Sequence, residues 1–177
     1  LSENKIAIVP NFVQEELFIE KANLNKFKEY KQIKVLYLSS MDIGKGYLDL
    51  LYGIENFPEK LLNLFEFNFA GNFKNVNEKN KFMSRIKKFP QIKYHGYIHN
   101  LKKKQLLNEA HIFILPTRYF EGQPISILEA YASGCIVLTT KKPGILDIFK
   151  PNLNGYSIDE KSPESINKNL LKVAKNK

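Results

Sequence analysis

Apolar residues gather in short β-branched or aromatic runs at Ile6–Val9, Ile33–Ser39, Phe65–Gly71, Ile92–Gly96, His111–Leu115, Cys135–Thr139 and Gly155–Ile158. Turn residues punctuate their ends: Pro10, Gly71, Gly96, Pro116 and Gly155. Between the runs the apolar period lengthens to that of a helix, over Tyr47–Ile54, Asn77–Phe89, Lys102–Ala110, Pro124–Ser133 and Glu164–Ala174. Gln14–Lys31 reads as a connector with a short helix, and Lys74–Asn80 as a polar loop. Strands alternating with helices imply βαβ units, hence an α/β fold: a Rossmann-like parallel sheet with helices on both faces. Near-continuous runs such as Ile112-Phe113-Ile114-Leu115 suit strands covered on both sides.

In such sheets ligands bind beyond the carboxyl ends of the strands. Two of those places carry chemistry. After His111–Leu115 comes Pro116-Thr117-Arg118-Tyr119-Phe120-Glu121-Gly122-Gln123-Pro124-Ile125-Ser126-Ile127-Leu128-Glu129-Ala130. Pro124 suits the first turn of a helix, where a missing N–H costs nothing. Gly122 permits close backbone approach or a positive φ, and the free N–H groups from Gln123 to Ser126 make an anion site. Ile125, Leu128 and Ala132 form the expected apolar stripe, with Ser126, Glu129 and Ser133 beside it. Glu129 can accept hydrogen bonds from a ribose diol; the same spacing also suits an ordinary surface acid. After Ile33–Ser39, the segment Ser40-Met41-Asp42-Ile43-Gly44-Lys45-Gly46 offers a lysine between glycines just before a helix. It is no Walker A loop, because Gly46 stands where Ser or Thr is needed.

Size and charge narrow the picture. The 177 residues suit one domain, and 44% apolar content is ordinary for a globular protein. No apolar run approaches the roughly 20 residues of a bilayer span. The start, Leu1-Ser2-Glu3-Asn4-Lys5, has no Met or leader, as expected for a piece of a longer protein. Cys135 is the single cysteine, which removes an internal disulfide framework and fits a reducing, cytoplasmic setting. His95, His99 and His111 show no metal-ligand spacing, so no metal site is expected. A net charge of +9 fits an anionic partner, or simply a lysine-rich solvated surface. No nucleic-acid motif accompanies the charge, so a nucleic-acid partner is not expected and a basic nucleic-acid-binding domain is the weaker alternative.

The string "LPTRYFEGQPISILEAYASGCIVLTT" resembles family 4 of the retaining GT-B glycosyltransferases, with Glu121 and Glu129 in their E-x7-E motif. The resemblance extends through "IVPNFV", "FNFAGNF" and "IKYHGYIHNLKKKQLLNEAHIFILPT". It implies that this chain is the donor-binding half of a GT-B fold, with the acceptor-binding N-terminal domain absent. Glu121 and Lys45 are then catalytic, Glu121 facing the sugar and Lys45 the leaving diphosphate. Glu129 would hold the ribose; Gly122, Gln123, Pro124 and Ile125 the diphosphate; Tyr97 and Ile98, after Gly96, the base. The donor is a UDP- or GDP-sugar, with no further cofactor and no bound metal. The acceptor would be a glycan or glycolipid in polysaccharide or glycolipid assembly, which admits a peripheral position at the inner membrane face. Two departures stand out: Ser40 replaces an Arg common five positions before the lysine, and Asp147 a usual Glu. They motivate the main alternative, a degenerate nucleotide-sugar-binding module, although Ser40 can still donate a hydrogen bond. The isolated chain is expected to be inactive in transfer.

Overall fold

The computed structural model describes residues 10–19, 25–28 and 30–175. Six strands form one parallel sheet: β1 (Ile33–Leu38), β2 (Phe65–Ala70), β3 (Ile92–Tyr94), β4 (Ile112–Leu115), β5 (Ile136–Thr139) and β6 (Gly155–Ser157). Their order across the sheet is β3-β2-β1-β4-β5-β6. The chain runs outward from β1 to β3, returns to lay β4 against β1, and runs outward again. Each strand lies within an expected run, with ends trimmed by a residue or two. The Ile6–Val9 run lies outside the described residues.

The helices are α1 (Tyr47–Glu55), α2 (Glu59–Leu62), α3 (Val76–Ile86), α4 (Asn100–Glu109), α5 (Ile125–Ala132), α6 (Pro143–Leu146) and α7 (Pro163–Lys175). Most of the expected polar loop is the start of α3. Asn75 caps it, its Oδ1 accepting from the N–H groups of Asn77 and Glu78 at 2.8 and 3.3 Å. A good cap at a helix N-terminus contributes about 1 kcal/mol, so Asn/Lys composition does not prevent a helix here. In the Gln14–Lys31 connector, Glu15–Leu17 forms a short 3-10 turn.

The core follows from alternation on β2. Phe65, Phe67 and Phe69 share one face and are fully buried, meeting Phe57, Phe82 and Tyr37 through ring contacts of 5.2–5.8 Å. Each such ring contributes about 1.5–3 kcal/mol relative to exposure. The opposite face of β2 carries Glu66 and Asn68, linked to Lys93 and His95 on the neighbouring strand and its end. All four residues of β4 are buried, as expected for a central strand covered on both sides.

Helix α5 corrects two expectations. Its buried positions are Ile127, Glu129 and Ala130, followed by Ser133, whereas Ile125 is exposed and Leu128 and Ala132 only partly covered. Ile125 opens the first turn and is exposed, so the buried stripe begins two residues later. Pro124 is the cap, with extended ψ of 115°, and not the first helical residue.

Candidate functional site

The reversal of strand order between β1 and β4 splays the loops that leave them, opening a crevice at the switch point. Both expected motifs lie on those loops. The β1 loop makes a 3-10 turn at Ile43–Lys45, capped by Asp42, whose Oδ1 accepts from Gly44 N–H at 2.8 Å. Gly46 then turns left-handed, φ +83°, and starts α1. A Cβ there would lie 2.1 Å from the Pro116 carbonyl oxygen, so glycine lets the two loops touch.

Four contacts bind the loops together. Arg118 N–H donates to the Gly44 carbonyl at 2.7 Å. The Arg118 guanidinium forks onto buried Asp49 on α1, with Nε 3.0 Å from Oδ2 and Nη2 2.5 Å from Oδ1. The Tyr119 hydroxyl donates to Asp42 Oδ1 at 2.6 Å, and this hydrogen bond holds the Asp42 carboxyl below its ordinary range. The Tyr119 ring fills the space that a Cβ on Gly44 would need.

These ties bring Lys45 and Glu121 face to face. Lys45 Nζ lies 2.7 and 2.9 Å from the two carboxylate oxygens of Glu121. Oε1 also accepts from Thr117 Oγ1 at 2.6 Å. Thr117 is fully buried, and its own carbonyl accepts from Thr140 at the end of β5. Spacing holds no clue to Asp49 or Arg118, which meet across 69 positions, and the bond of Thr117 to Glu121 depends on a loop turn that follows no helix or strand period.

Beyond Glu121 the chain runs through Gly122 to α5. Of the two expectations for Gly122, the positive φ is not met, since it is not among the left-handed glycines, and a Cβ there meets nothing within 4 Å. Its neighbour across the site is the constrained one: a Cβ on Gly144 would lie 2.3 Å from the carbonyl oxygens of both Glu121 and Gly122. Asp147, which ends α6, is exposed. Gln123 is held from the far side, its carbonyl accepting from Asn11 Nδ2 at 2.7 Å. The N–H groups of Ile125 and Ser126 have no acceptor among the described residues, so the start of α5 presents free donors.

Next to this lies a cleft of about 480 Å³, lined by Ser39, Ser40, Gly71, Asn72, Tyr97, Ile98, Lys103, Ser126 and Glu129 among others. It contains the expected Ser40, Tyr97, Ile98 and Glu129. Gly71, with φ +148° and a Cβ position 1.8 Å from the Ser39 carbonyl oxygen, lets β2 end flush against the β1 loop. Glu129 is 7% exposed and meets Lys103 Nζ. A larger cleft of about 640 Å³ lies at the opposite end of the sheet, by Lys26 and His111. There Lys26 Nζ already donates to the Ala110 and Ser133 carbonyls, and His111 bonds backbone through both ring nitrogens. We take the smaller cleft as the candidate site, because free donors and charged groups converge on it.

The chain is thus a doubly wound α/β domain that carries charged side chains and free helix N–H groups at its switch point, beyond the carboxyl ends of the strands. Residues 19–177 match the model of one family, glycosyl transferases group 1, and the chain belongs to that family. Among solved structures it is similar to HepE of Anabaena, solved with UDP-glucose: TM-score 0.76 at 14% identity, over 91% of this chain and 45% of that one. It is also similar to the C-terminal domain of LpcC, a group 1 family protein of Francisella tularensis, with TM-score 0.74 at 19% identity, over 91% and 86% of the two chains. The fold shared with these chains is that of one half of a GT-B glycosyltransferase. In sequence it is similar to the amylovoran biosynthesis glycosyltransferase AmsK of Erwinia amylovora, 28% identical over 88 residues. That match takes in 47% of this chain and 22% of AmsK, so the chain spans well under two thirds of HepE and of AmsK. Among the described residues no helix is long and apolar enough to cross a membrane.

Proposed function

We propose that this chain is the donor-binding domain of a retaining glycosyltransferase that moves a hexosyl group from a UDP- or GDP-sugar to an acceptor hydroxyl. The observation that carries the reading is that the loops after β1 and β4 set Lys45 against Glu121, while Glu129 and Ser126, beside the free N–H groups that open α5, line the cleft at the same end of the sheet. UDP-glucose in HepE, a chain of the same fold, supports the ligand class, and the likeness to AmsK supports a role in polysaccharide or glycolipid assembly.

Each group has a task in that reaction. The N–H groups at the start of α5 bind the diphosphate, and the open face of Gly122 leaves room for it. Lys45 neutralises charge growing on the leaving diphosphate as the bond from the anomeric carbon to its oxygen breaks; a cation aimed there stabilises the transition state more than the ground state. Glu121 orients the sugar, and Glu129 accepts from the ribose hydroxyls. Tyr97 and Ile98 flank the base. The acceptor oxygen bonds the anomeric carbon on the face the leaving group departs from, and the acceptor proton passes to a diphosphate oxygen. Configuration is thereby retained. A second domain supplies the acceptor, a glycan or glycolipid. The test is transfer by the full-length protein from UDP- and GDP-sugars, with the anomeric coupling of the product read by NMR. An α-linked product from an α-linked donor supports the reading; an inverted product, or hydrolysis and transfer that survive Glu121→Ala undiminished, refutes it.

A further inference from the structure

One cation on the cleft wall has no task in this scheme. Lys103 stands on α4, and its Nζ lies 2.5 Å from Glu129 Oε1 on α5, across the cleft that both residues line. The two side chains are 26% and 10% exposed, so the contact is largely screened from water. Lys102, one residue earlier, instead meets Gln105 on its own helix at 3.2 Å. Two left-handed residues deliver α4 to this place: Gly96, φ +67°, and Asn100, φ +46°. Gly96 is further anchored where its carbonyl accepts from Gly71 N–H at 2.8 Å.

Glu129 Oε2 accepts no hydrogen bond from a described residue, and it is not sealed from the cleft. A carboxylate offers about four acceptor sites, so the lysine leaves one oxygen available. A nearly buried carboxylate without a partner is costly and free to rotate; held through Oε1, it presents Oε2 in one orientation.

We propose that Lys103 is a positioning residue that fixes Glu129 for the ribose diol of the donor, and so sets selectivity for ribonucleotides. The inference rests on the donor-site reading above. Lys103 acts through Glu129 and does not bind the diphosphate.

The experiment is titration calorimetry of the chain with UDP and GDP, each alongside its 2′,3′-dideoxy counterpart and its monophosphate. The wild type should prefer the ribonucleotide over the dideoxy form by about tenfold, the scale of a charge-assisted hydrogen bond. Lys103→Met should lose most of that preference through weaker ribonucleotide binding, leave dideoxynucleotide affinity nearly unchanged, and keep the diphosphate-to-monophosphate ratio. Lys103→Arg should retain the preference. Because each ratio is taken within one variant, a change in stability does not imitate the result. An undiminished ribose preference in Lys103→Met, tighter binding, or an equal loss for both sugars overturns the proposal while the donor site stands. Wild type that binds no nucleotide removes the donor site itself, and the proposal with it.

Discussion

Lys45 Nζ touches both carboxylate oxygens of Glu121, at 2.7 and 2.9 Å, although 76 positions separate the two residues. The pairing follows from the sheet order, since β1 and β4 are neighbours only because the chain crosses back. Each group satisfies the other here, and in the proposed reaction the diphosphate and sugar of the donor would take over the two roles. We predict that Lys45→Met weakens nucleoside diphosphate binding about tenfold and spares the nucleoside, because a charged contact of roughly 1.5 kcal/mol is lost only where phosphate is present. Glu121→Gln should cut transfer by the full-length protein about 10²–10³-fold without weakening free diphosphate binding. Calorimetry and initial rates read the two effects separately.

Thr117 donates to Glu121 Oε1 from a fully buried position, and its oxygen also accepts from Tyr119 N–H at 3.2 Å. Thr117→Val keeps the shape and deletes these bonds together with a longer contact to the Gly44 carbonyl at 3.4 Å. We predict about a tenfold drop in kcat with little change in KM for the donor, and recovery in Thr117→Ser. A variant with unchanged kcat would show that Glu121 is held well enough by Lys45 alone.

Gly122 and Gly144 should respond oppositely to alanine. A Cβ on Gly122 meets open space, whereas one on Gly144 would press on the carbonyls of Glu121 and Gly122 at 2.3 Å. Gly122→Ala should melt like the wild type yet bind nucleotide more weakly, since in the proposed site its methyl group would intrude on the diphosphate. Gly144→Ala should lower the melting temperature by several degrees, the response to about 1–2 kcal/mol of strain. Melting curves and nucleotide titrations of both variants check the contrast.

His111 makes stability depend on pH. Burial pushes its imidazole below the ordinary value, and the fold needs the neutral ring: Nδ1 accepts from Lys34 N–H at 2.9 Å while Nε2 donates to the Lys26 carbonyl at 2.7 Å. A proton on Nδ1 destroys the first bond. Because the native state holds this proton less tightly than the unfolded chain, stability is full above about pH 6.5 and falls as pH drops toward the lowered native value. His95, also lowered by burial, adds to the same trend. The urea midpoint should fall between pH 7.5 and 5.5, and less steeply in His111→Gln.

Much of the fold and part of the site are legible in the amino-acid pattern alone. Short apolar runs mark every described strand, turn residues close several of them, and the string from Pro116 to Glu129 carries the two acids beyond the carboxyl end of β4. Other parts depend on tertiary approach. Lys103 carries no periodic signature because its partner sits on another helix, and Thr117 none because it meets Glu121 through an irregular loop turn. The apolar stripe on α5 is misread from spacing because Ile125 is exposed at the helix start while the acid Glu129 is buried, and hydrophobic periodicity alone does not fix which positions face the core. The helix expected over Asn77–Phe89 stands as α3 from Val76 to Ile86, and it is the overlapping polar-loop reading that fails, because the Asn75 cap and buried Phe82 and Ile86 hold the Lys- and Asn-rich stretch helical.

The central claim is a nucleotide site completed by Glu129. It is tested most directly by melting this chain with UDP, GDP and ADP, and repeating the series in Glu129→Ala. Ligand at about 100 times Kd adds roughly 2.7 kcal/mol, a rise of several degrees for a domain of this size. We predict a rise with UDP or GDP that exceeds the rise with ADP and disappears in Glu129→Ala. No rise with any nucleotide, or one that Glu129→Ala leaves intact, would contradict the claim.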